Sequence, residues 1–190
     1  MLTLIFACSD DYSVTGVNSP DPGIVRIYLK ADDTDNKIII AGDTLTVGEG
    51  VDDSLAVTIG QGRTYRATDF AVLFKDLDEH LERITTYNMI KQENGGFVDF
   101  LIFETHLPPS KFDSLKIDIS ADFLQIGFHR IPIEIPEGES TIERFDQTFE
   151  INEGRVTAIH LQIKAMSSLV RVKDTYQFFP LLEVVDIKYL

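Results

Sequence analysis

From Gly23 onward the apolar residues of this chain recur with a period of two, and that rhythm constrains the fold more than any other feature. In Ile24-Val-Arg-Ile-Tyr-Leu-Lys30, Val25, Ile27 and Leu29 share one face while Arg26, Tyr28 and Lys30 share the other, the pattern of a half-buried strand. Val156 to Ala165 repeats it, with Ile159, Leu161 and Ile163 directed inward and His160, Gln162 and Lys164 outward. Between these come Lys37-Ile-Ile-Ile-Ala41, Leu45-Thr-Val47, Ser54 to Ile59 and Thr64 to Lys75. Phe97 to Phe103, Leu115 to Ile119, Phe123 to Phe128, Ile131 to Ile135 and Phe145 to Ile151 continue the series, and Tyr176 to Phe179 and Leu182 to Ile187 end it. Turn chemistry separates the stretches: Ala31-Asp-Asp-Thr-Asp-Asn36, Gly48-Glu-Gly50, Gly60-Gln-Gly62, Glu93-Asn-Gly-Gly96, the corner Leu107-Pro-Pro-Ser-Lys-Phe112 and Asn152-Glu-Gly154. About ten short strands with no strand–helix alternation predict an all-β, antiparallel β-sandwich, immunoglobulin- or transthyretin-like, as one domain over 23–190. Asp76 to Ile84 carries the single helical spacing, Leu77, Leu81 and Ile84, and is read as a loop with a helical turn. Pro132 is expected to mark an edge strand, and Lys116 to blunt one, which favours a monomer.

Charge narrows the partners. With 17 basic and 31 acidic residues the formal charge is −14, the wrong sign for a surface that tracks phosphates. A hydrophobic content of 44% suffices for a core, while a mean hydropathy of +0.01 argues against an integral membrane protein. Trp is absent and Phe reaches 13, which suits sheet cores better than sugar-stacking platforms.

The single cysteine stands in a distinctive setting. Ile5-Phe6-Ala7-Cys8 follows an apolar start and precedes the acidic Ser9-Asp-Asp11. It resembles the lipobox of bacterial lipoproteins: an aliphatic residue, a loosely chosen one, a small one, then the cysteine that is acylated after cleavage. The run is shorter than the roughly 7–15 apolar residues of a secretory signal and lacks a basic front end, so residues 1–8 read as the tail of a truncated signal peptide, with Cys8 the lipidation site. An apolar N-terminal strand with a buried free cysteine is the competing reading. Against it, nothing alternates in residues 2–7, and Ser9 to Ser13 cannot continue a core strand. Residues 9–22, with Gly16, Pro20 and Pro22, form a flexible tether. Ser9 suits delivery to the outer membrane, and Asp10-Asp11 resembles the acidic surface-export signal of Bacteroidetes-type lipoproteins.

The C-terminal half resembles a bacterial lipoprotein domain family known only as a domain of unknown function. The resemblance spans about residues 97–187 and rests on Leu107-Pro-Pro-Ser-Lys-Phe112 leading into Leu115-Lys-Ile-Asp-Ile119, then Ile151-Asn-Glu-Gly154, Ser168-Leu-Val170 and Tyr176-Gln-Phe-Phe-Pro180. It implies a surface lipoprotein with a sandwich fold and no established activity. Where that family often has two acidic residues one apart, this chain has Gln162 and Lys164, so a cation-binding role does not carry over.

Other constellations favour structural readings. His80, His106, His129 and His160 show no zinc-type spacing. Asp32, Asp33, Asp35 and Asn36 supply oxygen ligands but no tight-turn glycine and no downstream bidentate Glu, so they read as an acidic turn; Asp52-Asp53 is weaker still. Gly60-Gln-Gly62 reads as a strand turn and not a phosphate loop, and Ser54, Ser167 and Ser168 lack a nucleophile-elbow setting. The expectation is therefore a lipid-anchored outer-membrane protein of the cell envelope, facing the periplasm or the surface, non-enzymatic and without catalytic residues, cofactor or metal. It would act in adhesion, assembly or scaffolding, with an envelope protein or glycan as partner and no nucleic acid. The alternative is a loop-based glycan-, peptide- or calcium-binding module; a hydrolase with dispersed carboxylates is a third, remote reading.

Overall fold

The computed structural model describes residues 20–40, 42–77, 84–138, 140–173 and 175–190. These residues form an all-β sandwich without a helix. One sheet is built around β1 (Gly23–Ala31), which pairs antiparallel with β9 (Phe100–Leu107) and parallel with β15 (Val156–Ile163); β18 (Leu182–Tyr189) completes it outside β15. The spine of the other sheet is an antiparallel pair of thirteen-residue strands, β4 (Ser54–Arg66) and β11 (Ser114–Ile126). Each long strand is flanked by two short ones end to end. Beside β4 lie β5 (Asp69–Leu73) and β6 (Thr85–Asn88); beside β11 lie β13 (Ile142–Phe145) and β12 (His129–Glu134). Beyond β12 the sheet continues through a parallel pairing to β17 (Thr175–Phe178) and then β16 (Leu169–Val172). Three two-stranded ribbons complete the chain: β2 (Lys37–Ile40) with β3 (Asp43–Thr46), β7 (Gln92–Glu93) with β8 (Gly96–Phe97), and β10 (Ser110–Phe112) with β14 (Phe149–Ile151).

The period-two residues build the core. Val25, Ile27 and Leu29 of β1 and Ile159, Leu161 and Ile163 of β15 are buried, as are Leu55, Val57 and Ile59 of β4 and Leu115, Ile117 and Ile119 of β11. Each such side chain contributes about 1.5–3 kcal/mol through burial. The sheets meet where the Phe103 ring of β9 lies on Gly62 of β4, so close that a Cβ there would stand 2.7 Å from the ring.

Several boundaries differ from those read in the sequence. Eighteen strands are present among the described residues where about ten apolar stretches stand out, in part because strands of two or three residues, such as β7, β8 and β10, carry too little pattern to register. Gly60-Gln-Gly62 is no turn: β4 runs straight through it as a bulge, with the register against β11 shifting between the Ile117–Gly62 and Ile119–Ile59 pairs. The stretch 64–75 is not one strand but the end of β4, a tip at Ala67-Thr68 with Ala67 at φ 53°, and β5. The stretches around Leu115 and Phe123 are one strand, β11. Pro132 is not on an edge strand, since β12 has β11 on one side and β17 on the other. It stands where β12 passes from one partner to the next, so its missing N–H leaves little of either ladder unmade. Lys116 is likewise interior, between Arg63 of β4 and Arg144 of β13. Of the helical stretch, residues 78–83 lie outside the described residues.

Candidate functional site: a cationic groove on the central sheet

The bulge at Gly60 and Gln61 organises the surface around it. On one flank of β4, β5 pairs with residues 62–66 and β6 with 56–59, so neither of them pairs with Gly60 or Gln61. Across the ladder the Asp118 carboxylate of β11 lies against Gly60, where a Cβ would come within 2.4 Å of Oδ2. A side chain there would have to displace that carboxylate.

Beyond the bulge, Arg63 pairs with Lys116, and Lys116 with Arg144, placing three cations in one cross-strand row. Like charges directly opposite one another destabilise a sheet by about 0.2–1 kcal/mol per pair. Only Arg144 is neutralised, by Asp146 at 2.6 Å. Arg63 and Lys116 lie instead on aromatic rings: the Arg63 guanidinium is 5.0 Å from the centre of Phe70, and Lys116 Nζ is 4.7 Å from that of Tyr65. Contacts of that kind are worth about 0.5–1 kcal/mol where exposed, enough to offset the repulsion and no more. Arg63 Nε is buried without a hydrogen-bond partner. In a chain of net charge −14, neither Arg63 nor Lys116 has a carboxylate partner among the described residues.

A depression of about 220 Å³ lies over this row, lined by Gln61, Arg63, Tyr65, Lys116, Asp118 and Ile142. A second, of about 250 Å³, adjoins it through Gln61 and Asp118 and reaches Lys75 and Phe103. Lys75 is placed there by the end of β5, where Phe74 is clamped to β9: its N–H donates to Thr105 Oγ1 at 2.7 Å, and its carbonyl accepts from Glu104 N–H at 2.9 Å. Lys75 Nζ donates to the Ile59 carbonyl at 3.3 Å and stands 4.3 Å from the centre of Phe103. Burial lowers its ammonium from the ordinary 10.5 to about 8.

The residues singled out from sequence fall elsewhere. Cys8, with Asp10-Asp11 and His80, lies outside the described residues. The acidic turn is consumed by the fold. Asp32 accepts from Thr34 N–H and Oγ1, Asp33 from Phe97 N–H and Lys30, and Asp35 from Met166 N–H, Ser167 N–H and Ser167 Oγ. Burial pushes Asp33 up, but the bonds from Lys30 and Phe97 outweigh it and hold the carboxyl below its usual range. Asp53 is buried and accepts from the N–H groups of Gly48, Gly50 and Gly127 at 3.0–3.1 Å. Ser168 Oγ donates to the Lys164 carbonyl and accepts from Leu181 N–H. His160 stacks on Tyr28 with ring centres 4.9 Å apart and Nδ1 3.5 Å from Asp99, whereas His106 and His129 are exposed on other strands. Among the described residues no three His, Cys, Asp or Glu side chains come together as a metal site.

The groove was not visible in the sequence, because Arg63 fell between two stretches read as separate strands. A glycine inside an alternating pattern is a bulge signal, and reading Gly60 and Gly62 that way aligns Gln61, Arg63 and Tyr65 on one face. Compared with protein families, curated proteins and solved structures, the chain matches none.

Proposed function

We propose that this chain is a cell-envelope lipoprotein, held at the outer membrane through acylated Cys8, whose β-sandwich is a non-enzymatic binding module in adhesion or assembly. The observation that carries the binding role is the Arg63–Lys116 row beneath an open depression. Two cations without carboxylate partners among the described residues are held opposite each other, their repulsion offset only by the rings they lie on, which leaves both charges available to an anion in the depression. The anchor is supported by the lipobox-like Ile5 to Cys8 and the polar stretch that follows it. Two or three acyl chains, at about 0.8 kcal/mol per buried methylene, would hold a domain of this size stably on a bilayer. Among the described residues no helix is long and apolar enough to cross a membrane. In place of the loop-borne calcium site weighed from the sequence, the sheet face is the stronger candidate, because the carboxylates of the acidic turn already accept protein donors. Fractionation of cells expressing wild type and Cys8→Ala tests the anchor. The wild type is expected with the membranes and the variant in the soluble fraction; equal membrane association of both contradicts it.

A further inference from the structure

We infer that the groove over Arg63 and Lys116 recognises a sugar carboxylate, a single negative charge carried on a hydroxyl-bearing ring. The inference rests on the binding role proposed above and names the ligand class for the same site.

Four side chains converge on the depression with their polar groups uncommitted. Arg63, Lys116, Gln61 and Asp118 line it together, and none forms a side-chain hydrogen bond or ion pair with another described residue. The two cations ask for an anion. A guanidinium presents a planar fork that matches a carboxylate, and Lys116 adds a point charge beside it. Asp118 then limits how much negative charge the site accepts. Its carboxylate is seated on Gly60 within the same lining, so a doubly charged phosphoryl group would meet a third negative charge, whereas a single carboxylate would not.

Asp118 and Gln61 have a different use. A carboxylate accepts hydrogen bonds from hydroxyls and an amide both accepts and donates, which is the chemistry of a sugar ring's edge. Both line the neighbouring depression as well, so the hydroxyl-binding groups sit between two adjoining hollows. Their volumes, about 250 and 220 Å³, fall below the roughly 300–1,000 Å³ of pockets that enclose drug-sized ligands, and suit one small ring at a time. The chain's overall charge of −14 repels anions in proportion to their charge, so it disfavours long polyanions far more than a small monoanion.

Amide and side-chain NMR of the intact protein, titrated separately with sodium D-glucuronate, D-glucose, acetate and inorganic phosphate at constant ionic strength, tests this. Saturable shifts centred on Gln61, Arg63, Tyr65 and Lys116 are expected with glucuronate. Glucose and acetate, each carrying half of the recognised chemistry, should bind about tenfold more weakly or worse, as should phosphate. Lys116→Gln should weaken glucuronate by about tenfold. Arg63→Lys, which keeps the charge and loses the fork, should weaken it measurably while the spectrum stays folded. If phosphate or acetate binds the groove as tightly as glucuronate, the sugar-carboxylate assignment is overturned and the binding role stands. If none of the four perturbs the groove, both are overturned.

Discussion

Asp53 shows how single side chains hold the loops of this sandwich in place. Its buried carboxylate takes N–H groups from Gly48 and Gly50 ahead of β4 and from Gly127 at the tip between β11 and β12. Asn88 braces the same end, accepting from Leu55 and Ile90 N–H and donating to the Asp53 carbonyl. Removing the carboxylate takes the partner from three N–H groups, of which Gly48 is half-buried and Gly50 and Gly127 are exposed, so Asp53→Ala is expected to destabilise the fold by about 1–3 kcal/mol in urea denaturation. Lys75 gives a prediction of the opposite kind. Its ammonium is lowered to about 8 in the folded chain against 10.5 ordinarily, because burial disfavours the charge. Below pH 8 both states hold the proton and the penalty is constant. Between 8 and 10.5 the unfolded chain binds more protons, so stability should rise with pH across that window. Lys75→Met should flatten the rise, measured as denaturation midpoints at successive pH values.

At the scale of elements, the β4–β11 pair decides where the groove can exist. Two thirteen-residue strands flanked by pairs of short ones leave a gap on each side, and the bulge falls in one of them. Gly62 lets the sheets close at that point by accepting the Phe103 ring. Gly62→Ala would press a methyl against a ring that is almost fully buried, and is expected to cost about 1–3 kcal/mol in thermal or chemical unfolding. Phe103→Leu in the same chain should recover part of that loss if the contact is its cause. The strands most legible in the sequence were β1 and β15, because their alternation is unbroken and one face of each is wholly buried. The central pair was harder to read. Glycines that serve as a bulge and a ring seat look like turn residues when only one chain is in view, and the strand opposite supplies the reason for them. Among the short ribbons, β10 is defined by a partner far away in sequence, β14, while the hairpin of β7 and β8 has two residues a side and leaves almost no local period. Edges misled for a related reason: Pro132 and Lys116 carry edge chemistry on interior strands. The inward position opposite Ile117 on the short strand β13 is held instead by Glu143, whose carboxyl is pushed up by burial.

Across the whole molecule, an acidic chain aligns three cations on one face of one sheet, two of them without a carboxylate partner among the described residues. None of the 17 basic residues suggested a site when taken in order. The register brings three of them into line and Lys75 to the neighbouring hollow, so the site is a property of strand pairing and not of any motif. Cys8 and the tether would set where that face is displayed, and the sandwich sets what it presents. If the row is a ligand site, its ligand should stabilise the folded state by mass action, and the gain should depend on the row. Thermal melts of wild type and of Arg63→Gln/Lys116→Gln in sodium glucuronate, each against sodium chloride at equal ionic strength, measure this directly. A rise in melting temperature that grows with glucuronate concentration in the wild type and vanishes in the double variant is the predicted result. Equal rises in both proteins, or none in either, would contradict it.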